Sequence, residues 1–554
     1  MFLSNNLSMD NMKIIIALSL SFIISFPLYA QSIFGNVKDF KTNVNLDSVK
    51  VEIDFVNTGS SDIVYTDLFG NWSYTLTNVK DRVYPKSFEV YQNYPNPFNP
   101  STIISFSVVK SANTRIEIYD ILGRLVDAKE FFLQGGYYSI KYEGLGSAGI
   151  YFYTIKSGSK SITKKMIQLD GGNGKGLQDL QNGSSNVLRK LVNSEDAELN
   201  LIFSKFAYVC DTLNVSVNGG EIFNTTIETV HSNAIMVDLH NDILERIFME
   251  DPNYHLGDYN TKFETDIPRL KIGGVDIQLF VAWVSPTNYE GKYFETTIEM
   301  IDRFKYEALV NSEDLAQTVN YSTSIEAIEF NKIAGVVCVE GGHSIENSLD
   351  KLLTLYNKGM RYLTITWNNS LDWAVSAKDS RSETVGLNQF GNEVIRKLDS
   401  LGVIIDISHT GIKTIKDILG ITTNPIIATH SGVRAIKDHY RNLYDYQIVD
   451  IANSGGVIGV VFYPPFIGDP NNNGSSDIDD VIKHIDYIVD LVGIDHAAIG
   501  SDFDGTGGYL ADGLDDVTKF PDLTYALLEH GYSHEEVKKI LGENFLRVFK
   551  EVCK

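Results

Sequence analysis

The second half of the chain contains short apolar runs of Val, Ile and Leu without polar alternation, and amphipathic helical segments separate them. Such runs are typical of parallel strands that are buried on both faces. We count eight of them, which is the number that closes a (β/α)8 barrel. The predicted strands cover residues 235–238, 276–281, 335–340, 362–367, 403–408, 425–430, 456–462 and 497–502.

Five of these runs end in residues that can bind a metal, and a barrel of this kind brings such strand ends together at one face. A single His at a strand end is more often structural than a ligand. Three imidazoles and several carboxylates at the same end of separate strands, however, serve no purpose in packing. The candidate ligands are His240, Asp242, Glu340, His409 and His430.

The spacing of these residues indicates how two metals could be held. His240 and Asp242 are two residues apart on an extended strand, so their side chains point the same way and could chelate one ion. His409 and His430 follow later strands and could hold a second ion, with Glu340 as a bridge. Imidazole and carboxylate ligands without thiolate suit zinc, with manganese, iron and cobalt as alternatives. The spacing therefore predicts a site for two divalent metal ions per chain, with zinc as the best match to the ligand types.

Two metals that share a water lower its pKa and hold hydroxide ready near neutral pH, which predicts a hydrolase. Asp502, at the end of the last strand, is placed to take the proton of the attacking water and pass it to the leaving amine. The alternative role for Asp502 is to orient a His ligand, and Asp504 is the weaker candidate for the proton shuttle. Asp502 and Glu340 are thus the predicted catalytic residues.

Length and charge limit the organisation and the partners of the chain. Its 554 residues exceed what one core usually supports, so two or three domains are expected. A formal net charge of -24 without a Lys/Arg cluster argues against binding to nucleic acid or to an anionic membrane. The three cysteines are widely spaced and support neither a disulfide framework nor a zinc finger.

The first 30 residues are predicted to be a secretory signal. Lys13 precedes an apolar stretch from Ile14 to Phe26, and small residues precede a cleavage point after Ala30. A lone N-terminal anchor is the alternative. We expect the protein to be exported, to the periplasm, the cell surface or the medium.

Alternating short strands after the signal predict small N-terminal all-β sandwich domains. Residues 31–80 together with 196–230 resemble the carboxypeptidase regulatory-like sandwich. Residues 88–169 include Tyr91 to Thr102 and Gly149 to Tyr153, which resemble the type A sorting domain of the type IX secretion system, and we predict that this domain is inserted into the first. A Gly/Asn/Ser-rich linker is predicted over 170–195.

Residues 232–554 resemble the renal or membrane dipeptidase family (peptidase family M19 of the amidohydrolase superfamily), which has a TIM-like (β/α)8 barrel. The resemblance implies a dinuclear zinc centre made by the five candidate ligands, with Asp502 as the proton shuttle. The motifs that carry it are Asp238-Leu239-His240-Asn241-Asp242, Val339-Glu340-Gly341-Gly342-His343, Ile405-Asp406-Ile407-Ser408-His409, Thr429-His430-Ser431, Arg441-Asn442 and Gly500-Ser501-Asp502-Phe503-Asp504-Gly505.

The resemblance also implies how a substrate binds. It assigns Arg441 to the C-terminal carboxylate of a dipeptide, a role that suits the guanidinium fork; an ordinary salt bridge is the alternative. Many members carry a substrate-contacting His after the fourth strand, whereas this chain has Trp367. We expect the amide of Asn368 to take over that contact. His343 is expected to be a loop residue and not a ligand.

The predicted function is that of an exported dinuclear-metal dipeptidase that cleaves dipeptides with metal-bound hydroxide. One alternative is another amide, ester or lactone hydrolase on the same barrel. The other is an inactive surface binding protein, which the converging ionisable residues disfavour. Dipeptides, the type IX secretion machinery and a second copy of the chain in a homodimer are the expected partners.

Overall fold

A computed structural model describes residues 30–56, 60–77, 87–133, 135–172, 174–182, 197–217 and 221–554. These residues form two compact units. Unit 1 comprises the chain up to Lys205 together with Cys210–Ile227, and unit 2 comprises Phe206–Val209 together with Glu228–Lys554. The predicted signal, residues 1–30, lies outside the described residues except for Ala30.

Unit 1 consists of β-strands, as the alternating pattern predicts. Its strands are β1 (Ala30–Asp39), β2 (Lys50–Phe55), β3 (Ser60–Tyr65), β4 (Asn71–Thr77), β5 (Ser101–Val108), β6 (Ala112–Asp120), β7 (Leu125–Leu133), β8 (Gly136–Glu143), β9 (Gly149–Ser157), β10 (Lys160–Gln168), β11 (Gly176–Asn182), β12 (Ala197–Ser204), β13 (Asp211–Val217) and β14 (Thr225–Ile227).

The strands of unit 1 form two pairs of sheets. One pair has the orders β14-β1-β4 and β13-β12-β2-β3, so the late strands β12 to β14 pair with the early ones. The other pair, β10-β9-β6-β7 and β11-β8-β5, uses only the strands between them and encloses its own apolar core. Strand β11 lies within the stretch that the sequence predicts as a linker, and it pairs with β8 through Leu177 and Leu180. Two leucines that face Tyr142 and Ile140 of β8 give this Gly-rich segment apolar contacts that favour a strand.

Unit 2 confirms the predicted (β/α)8 barrel. Eight parallel strands follow one another in the sheet, and a short ninth strand, β17, pairs with β18 at the side. The strands are β15 (Met236–Asn241), β16 (Val275–Trp283), β17 (Leu315–Thr318), β18 (Ile333–Glu340), β19 (Met360–Thr364), β20 (Ile404–Asp406), β21 (Ile426–Ser431), β22 (Ile458–Val460) and β23 (Ala497–Ile499).

Helices surround the barrel strands. Local capping fixes several helix starts; the Asp477 side chain, for example, accepts a hydrogen bond from Asp480 N at the start of α11. The helices are α1 (Val230–Asn233), α2 (Ile243–Met249), α3 (Ile267–Ile272), α4 (Tyr293–Val310), α5 (Tyr321–Glu329), α6 (Leu349–Asn357), α7 (Gln389–Leu401), α8 (Ile412–Leu419), α9 (Asp445–Asn453), α10 (Pro464–Ile467), α11 (Ile478–Val492), α12 (Phe520–His530), α13 (His534–Lys538) and α14 (Asn544–Val552). Across the part of the chain that is described, none of them is long and apolar enough to cross a membrane.

The barrel interior is apolar below its mouth. Side chains from strands on different sides of the barrel, such as Ile277, Tyr362 and Ile427, belong to one buried cluster, and Val336 and Cys338 of β18 join it. Because side chains alternate along a strand, Glu340 points to the same side as Cys338. The first and last strands approach each other at the mouth, where Asp242 N donates to Phe503 O at 2.9 Å and Asp502 N to His240 O at 3.2 Å.

Candidate metal centre

The five predicted ligands lie at the C-terminal ends of the barrel strands and are buried. His240 is near the end of β15, Glu340 ends β18 and His430 lies in β21. The other two lie just beyond strands: Asp242 directly follows β15, and His409 comes three residues after the end of β20. Their imidazole and carboxylate atoms come from four strands and meet in one cleft, which is the arrangement that the sequence predicts.

The ligand atoms form two groups that share Glu340. In one group the atoms of His240, Asp242 and Glu340, and in the other those of Glu340, His409 and His430, lie within 4.8 Å of one another. Glu340 Oε1 is 3.0 Å from His409 Nε2 and 3.6 Å from His430 Nε2. On the other side, Asp242 Oδ2 is 3.4 Å from His240 Nε2. One carboxylate is therefore within reach of two sets of ligands.

The five candidate ligands, His240, Asp242, Glu340, His409 and His430, are called the ligand cluster below. Each of its three imidazoles contacts a neighbour through Nδ1 and turns Nε2 toward the other members. His240 Nδ1 is 2.9 Å from the Tyr362 hydroxyl, and His409 Nδ1 is 3.1 Å from Asn368 Oδ1. His430 Nδ1 is 2.9 Å from Thr429 Oγ1. Such contacts fix the ring orientation, and a ring that donates its N–H from Nδ1 leaves Nε2 able to bind a metal.

The residues fit a metal because they leave polar atoms without partners. His240 Nε2, Asp242 Oδ1 and Glu340 Oε1 are buried and make no hydrogen bond to any described residue. Buried polar atoms of native proteins are nearly always satisfied. Nitrogen and oxygen donors without sulfur are suitable for zinc or a related divalent ion. A metal would complete the coordination that these atoms lack.

The electrostatics of the cleft also favour a cation. Burial, together with the neighbouring Asp242 and Asp502, raises the pKa of Glu340 well above its usual range. Burial and Asp242 likewise raise the pKa of Asp502 to about 7, with His240 and Arg441 acting in the opposite direction. Carboxylates this close disfavour each other's ionised form. Divalent ions would offset that repulsion and keep the carboxylates charged.

Arg441 is a buried cation beside this cluster. Its guanidinium is 3% exposed, Nη2 donates to His430 O at 3.4 Å, and Nε has no hydrogen-bond partner. The Phe466 ring lies 5.2 Å from Cζ. Within the described ranges no carboxylate forms a salt bridge with Arg441, so the ordinary salt bridge considered above is not seen. Buried charges are usually paired, and this one is free to bind an anionic group.

The two aspartates of the last loop have different surroundings. Asp502 groups with His240 and His430 within 4.8 Å, so its carboxylate faces the ligand cluster. Asp504 Oδ1 instead accepts from Glu264 N at 2.9 Å, and burial and Glu264 raise the pKa of Asp504 well above its usual range. Both residues have positive φ, 62° and 67°. Left-handed backbone at non-glycine residues is typical of functional sites, and it turns two nearby carboxylates toward different neighbours.

Two further predictions concern Asn368 and His343. Asn368 is expected to contact the substrate, but its side-chain oxygen accepts the hydrogen bond from His409, so that atom orients a candidate ligand. His343 Nε2 lies 2.8 Å from Val284 O, away from the metal-ligand groups. His343 therefore does not face the ligand cluster and instead supports the loop after β16.

Sequence reasoning missed the residues that hold the ligands in place. Asp406 accepts hydrogen bonds from Thr429 N and Thr429 Oγ1, both at 2.9 Å, and from Thr364 Oγ1 at 2.6 Å. Asp238 accepts from Ser501 N and from Gln278 Nε2, both at 2.8 Å. The signal for both aspartates is present in the sequence, because a carboxylate inside a continuous apolar run needs buried donors.

The fold and these residues define a (β/α)8 barrel with a candidate metal centre at its mouth. Sequence comparison specifies the class: residues 224–554 match the model of the membrane dipeptidase family (peptidase family M19), and the chain belongs to that family. Residues 92–168 match the model of the secretion system C-terminal sorting domain, which confirms the resemblance of the inserted sandwich.

Solved structures show the same fold. A crystal structure of the metallopeptidase dipeptidase AC is 24% identical, with a TM-score of 0.54, over 58% of this chain and 99% of that one. A metallopeptidase from Rhodobacter sphaeroides, liganded with a phosphinate mimic of L-Ala-D-Ala, gives the same values. The probable dipeptidase PvdM from Pseudomonas aeruginosa is 23% identical, with a TM-score of 0.54, over 58% of this chain and 96% of that one.

Proposed function

We propose that the protein is an exported dipeptidase whose site holds two zinc ions. The observation that carries the proposal is the position of Glu340, which is shared by two groups of candidate ligands. His240 and Asp242 would hold one ion, His409 and His430 the other, and Glu340 both. Ions bound there would polarise the scissile carbonyl and lower the pKa of the attacking water.

Arg441 accounts for the choice of a dipeptide. A peptide with a free C-terminal carboxylate supplies the anion that this buried guanidinium lacks. Because Arg441 touches the backbone of His430, a carboxylate bound there places the adjoining peptide bond beside the ligand cluster. A longer peptide would need its terminal residue at the same place, so the contact of Arg441 with His430, 3.4 Å from Nη2 to the backbone oxygen, favours cleavage one bond from the C-terminus.

Asp502 is positioned to move the proton. Its carboxylate lies beside His240 and His430, and the buried surroundings raise the pKa of Asp502. A carboxylate with a raised pKa accepts a proton from the attacking water more readily and then donates it to the nitrogen of the leaving amine. The positive charge of two neighbouring ions would lower this pKa and keep the carboxylate ionised until it takes up the proton.

Export is supported by two features of the chain. The predicted signal covers residues 1–30, and residues 92–168 match a sorting domain of a secretion system. We therefore propose that the type IX secretion machinery handles the protein and that dipeptides are cleaved outside the cytoplasm. Fractionation of cells that produce the full chain, compared with a variant lacking residues 92–168, tests this part.

The test of the activity uses the zinc-loaded full chain. Ala-Ala, Ala-D-Ala, the dipeptide amide Ala-Ala-NH₂, an ester and a lactone are incubated with it, and the hydrolysis products of each are quantified: free amino acids, acid and alcohol, or hydroxy acid. We expect turnover of the dipeptides, loss of turnover on chelation and recovery on adding zinc. Preferential cleavage of the ester or lactone would favour the alternative hydrolase, and no turnover by metal-loaded protein would favour an inactive binding protein.

A further inference from the structure

Two tryptophans stand together at the barrel mouth. Trp283 is the last residue of β16, and Trp367 follows β19 by three residues. Their ring centroids are 4.9 Å apart at an angle of 52°, and Trp367 lies 6.1 Å from the His409 ring. The pair thus extends from β16 to a candidate metal ligand. Both rings are only partly buried, unlike Trp373, which is 1% exposed and belongs to the core.

The direction of Trp283 follows from the strand register. Its Cα pairs with that of Glu340 in the parallel pair β16–β18. Paired residues of adjacent strands project to the same face of a sheet, so Trp283 points to the side on which Glu340 meets the other ligands. His343 holds the next residue, because its Nε2 lies 2.8 Å from Val284 O. Burial lowers the pKa of His343, and the neutral ring keeps one N–H for that carbonyl.

Trp283 lies across the barrel from Arg441, and Trp367 follows β19, which is the fourth strand and lies between β16 and β21 in the sheet order. In the strand order, β16 is second and β21 is sixth, so these two strands face each other in a closed barrel of eight. Arg441 follows β21 and contacts His430 of that strand. A dipeptide with its carboxylate on Arg441 and its peptide bond on the ligand cluster therefore directs its first residue toward β16, where the tryptophans are.

The surface that the pair offers is mainly apolar and contains one free donor. Trp283 Nε1 is buried and has no hydrogen-bond partner among the described residues. Indole rings bind apolar and aromatic side chains through dispersion and offset stacking. They provide no group that would compensate a buried carboxylate, because an indole has only a single N–H donor.

We propose that Trp283 and Trp367 form the binding surface for the side chain of the substrate's first residue and make the enzyme prefer dipeptides that begin with a large apolar or aromatic residue. This inference rests on the proposed function, since it needs a dipeptide anchored at Arg441. It assigns substrate choice to the position where Trp367 replaces the His of many family members.

The test compares kcat/KM for Phe-Ala, Leu-Ala, Gly-Ala and Asp-Ala, with Ala-Phe and Ala-Gly as a series that varies the second residue. The enzymes are the zinc-loaded full chain, Trp367→Ala, Trp367→His and Trp283→Phe. Tyr306→Ala is the control, because Tyr306 is an exposed aromatic residue on the outer helix α4. Metal content and thermal unfolding of each variant show whether it is folded and loaded.

We expect wild type to prefer Phe-Ala over Gly-Ala by on the order of 10 to 100-fold, the usual effect of apolar contacts in a pocket. Trp367→Ala and Trp367→His should reduce that ratio about tenfold, mainly through KM, and leave the Ala-Phe to Ala-Gly ratio unchanged. Trp283→Phe, which removes only the N–H and one ring, should reduce it less.

The experiment distinguishes failure of this inference from failure of the proposed function. Cleavage of dipeptides with a Phe-Ala to Gly-Ala ratio near one, or with a ratio that both Trp367 variants preserve, would overturn the inference and leave the dipeptidase intact. Metal-loaded wild type that cleaves none of the dipeptides would overturn the proposed function, and the inference with it.

Discussion

The side-chain oxygen of Asn368 accepts a hydrogen bond of 3.1 Å from Nδ1 of His409. This contact sets the proton of the imidazole on Nδ1 and leaves Nε2, 3.0 Å from Glu340 Oε1, free to bind a metal. Asn368 therefore acts on the site through His409, whether or not its amide nitrogen also reaches the substrate.

Asn368→Ala should weaken metal binding. Loss of a partner that orients a His ligand usually lowers metal affinity or activity by about 10 to 100-fold. Zinc affinity is measured by competition with a chromophoric chelator. Asn369→Ala is the matched control, because the side-chain oxygen of Asn369 has no hydrogen-bond partner among the described residues and so orients no candidate ligand. Equal zinc affinity for Asn368→Ala and wild type would instead return Asn368 to a role at the substrate.

Glu340→Ala should lose both metals rather than one. The same carboxylate belongs to both ligand groups, so its removal leaves each ion short of a ligand. Elemental analysis after gel filtration gives the zinc content per chain. Glu346→Ala removes a nearby carboxylate whose partners are Lys351 and Phe294 N, and it should keep the wild-type content. A Glu340→Ala protein with full zinc content would show that Glu340 is not a bridge.

Asp502→Asn should keep its metals and lose roughly 10² to 10⁴ in kcat, which is the usual contribution of a positioned acid-base group. Asp504→Asn should retain most of its activity, since Asp504 accepts from Glu264 N and faces Glu264 instead of the ligands. Steady-state kinetics on zinc-loaded variants make the comparison. The reverse order of effects would mean that Asp504 moves the proton.

Arg441→Ala should chiefly raise KM for dipeptides. Charge-assisted hydrogen bonds contribute about 1.5 to 3 kcal/mol, so the loss in kcat/KM should be on the order of 10 to 100-fold. A dipeptide amide lacks the carboxylate and should be a poor substrate for wild type and variant alike. The two substrates and two proteins form a double-mutant cycle. Equal losses for dipeptide and amide would indicate that Arg441 serves the structure and not the substrate.

The barrel strands could be predicted because each is a short continuous apolar run between amphipathic helical segments, the pattern of parallel strands that are buried on both faces. All eight runs overlap strands of the structure. The ends of the strands could not be predicted as well. The run 456–462 contains a strand of three residues, Ile458–Val460, because the residues after Val460 belong to a loop at the barrel mouth. Strand β17 was missed because Leu315–Thr318 is short and not uniformly apolar.

Only part of the candidate site could be predicted from the sequence. Candidate ligands could be recognised at strand ends because the barrel brings those ends together, whatever the loops do. The contacts that orient them could not, since Asn368 reaches His409 only through the folded loop after β19, and Tyr362 reaches His240 only across the barrel. The position of Trp283 beside Trp367 likewise depends on the register of β16 against β18, which the sequence does not specify.

A zinc titration of the activity tests most directly whether the site holds two metal ions. Metal-free full-length protein is titrated with zinc while dipeptide hydrolysis is recorded at each ratio, and bound zinc is counted by elemental analysis. We expect hydrolysis to reach its maximum near two zinc ions per chain, because two groups of candidate ligands share Glu340. Full activity at one zinc ion per chain, with no second ion bound, would contradict it.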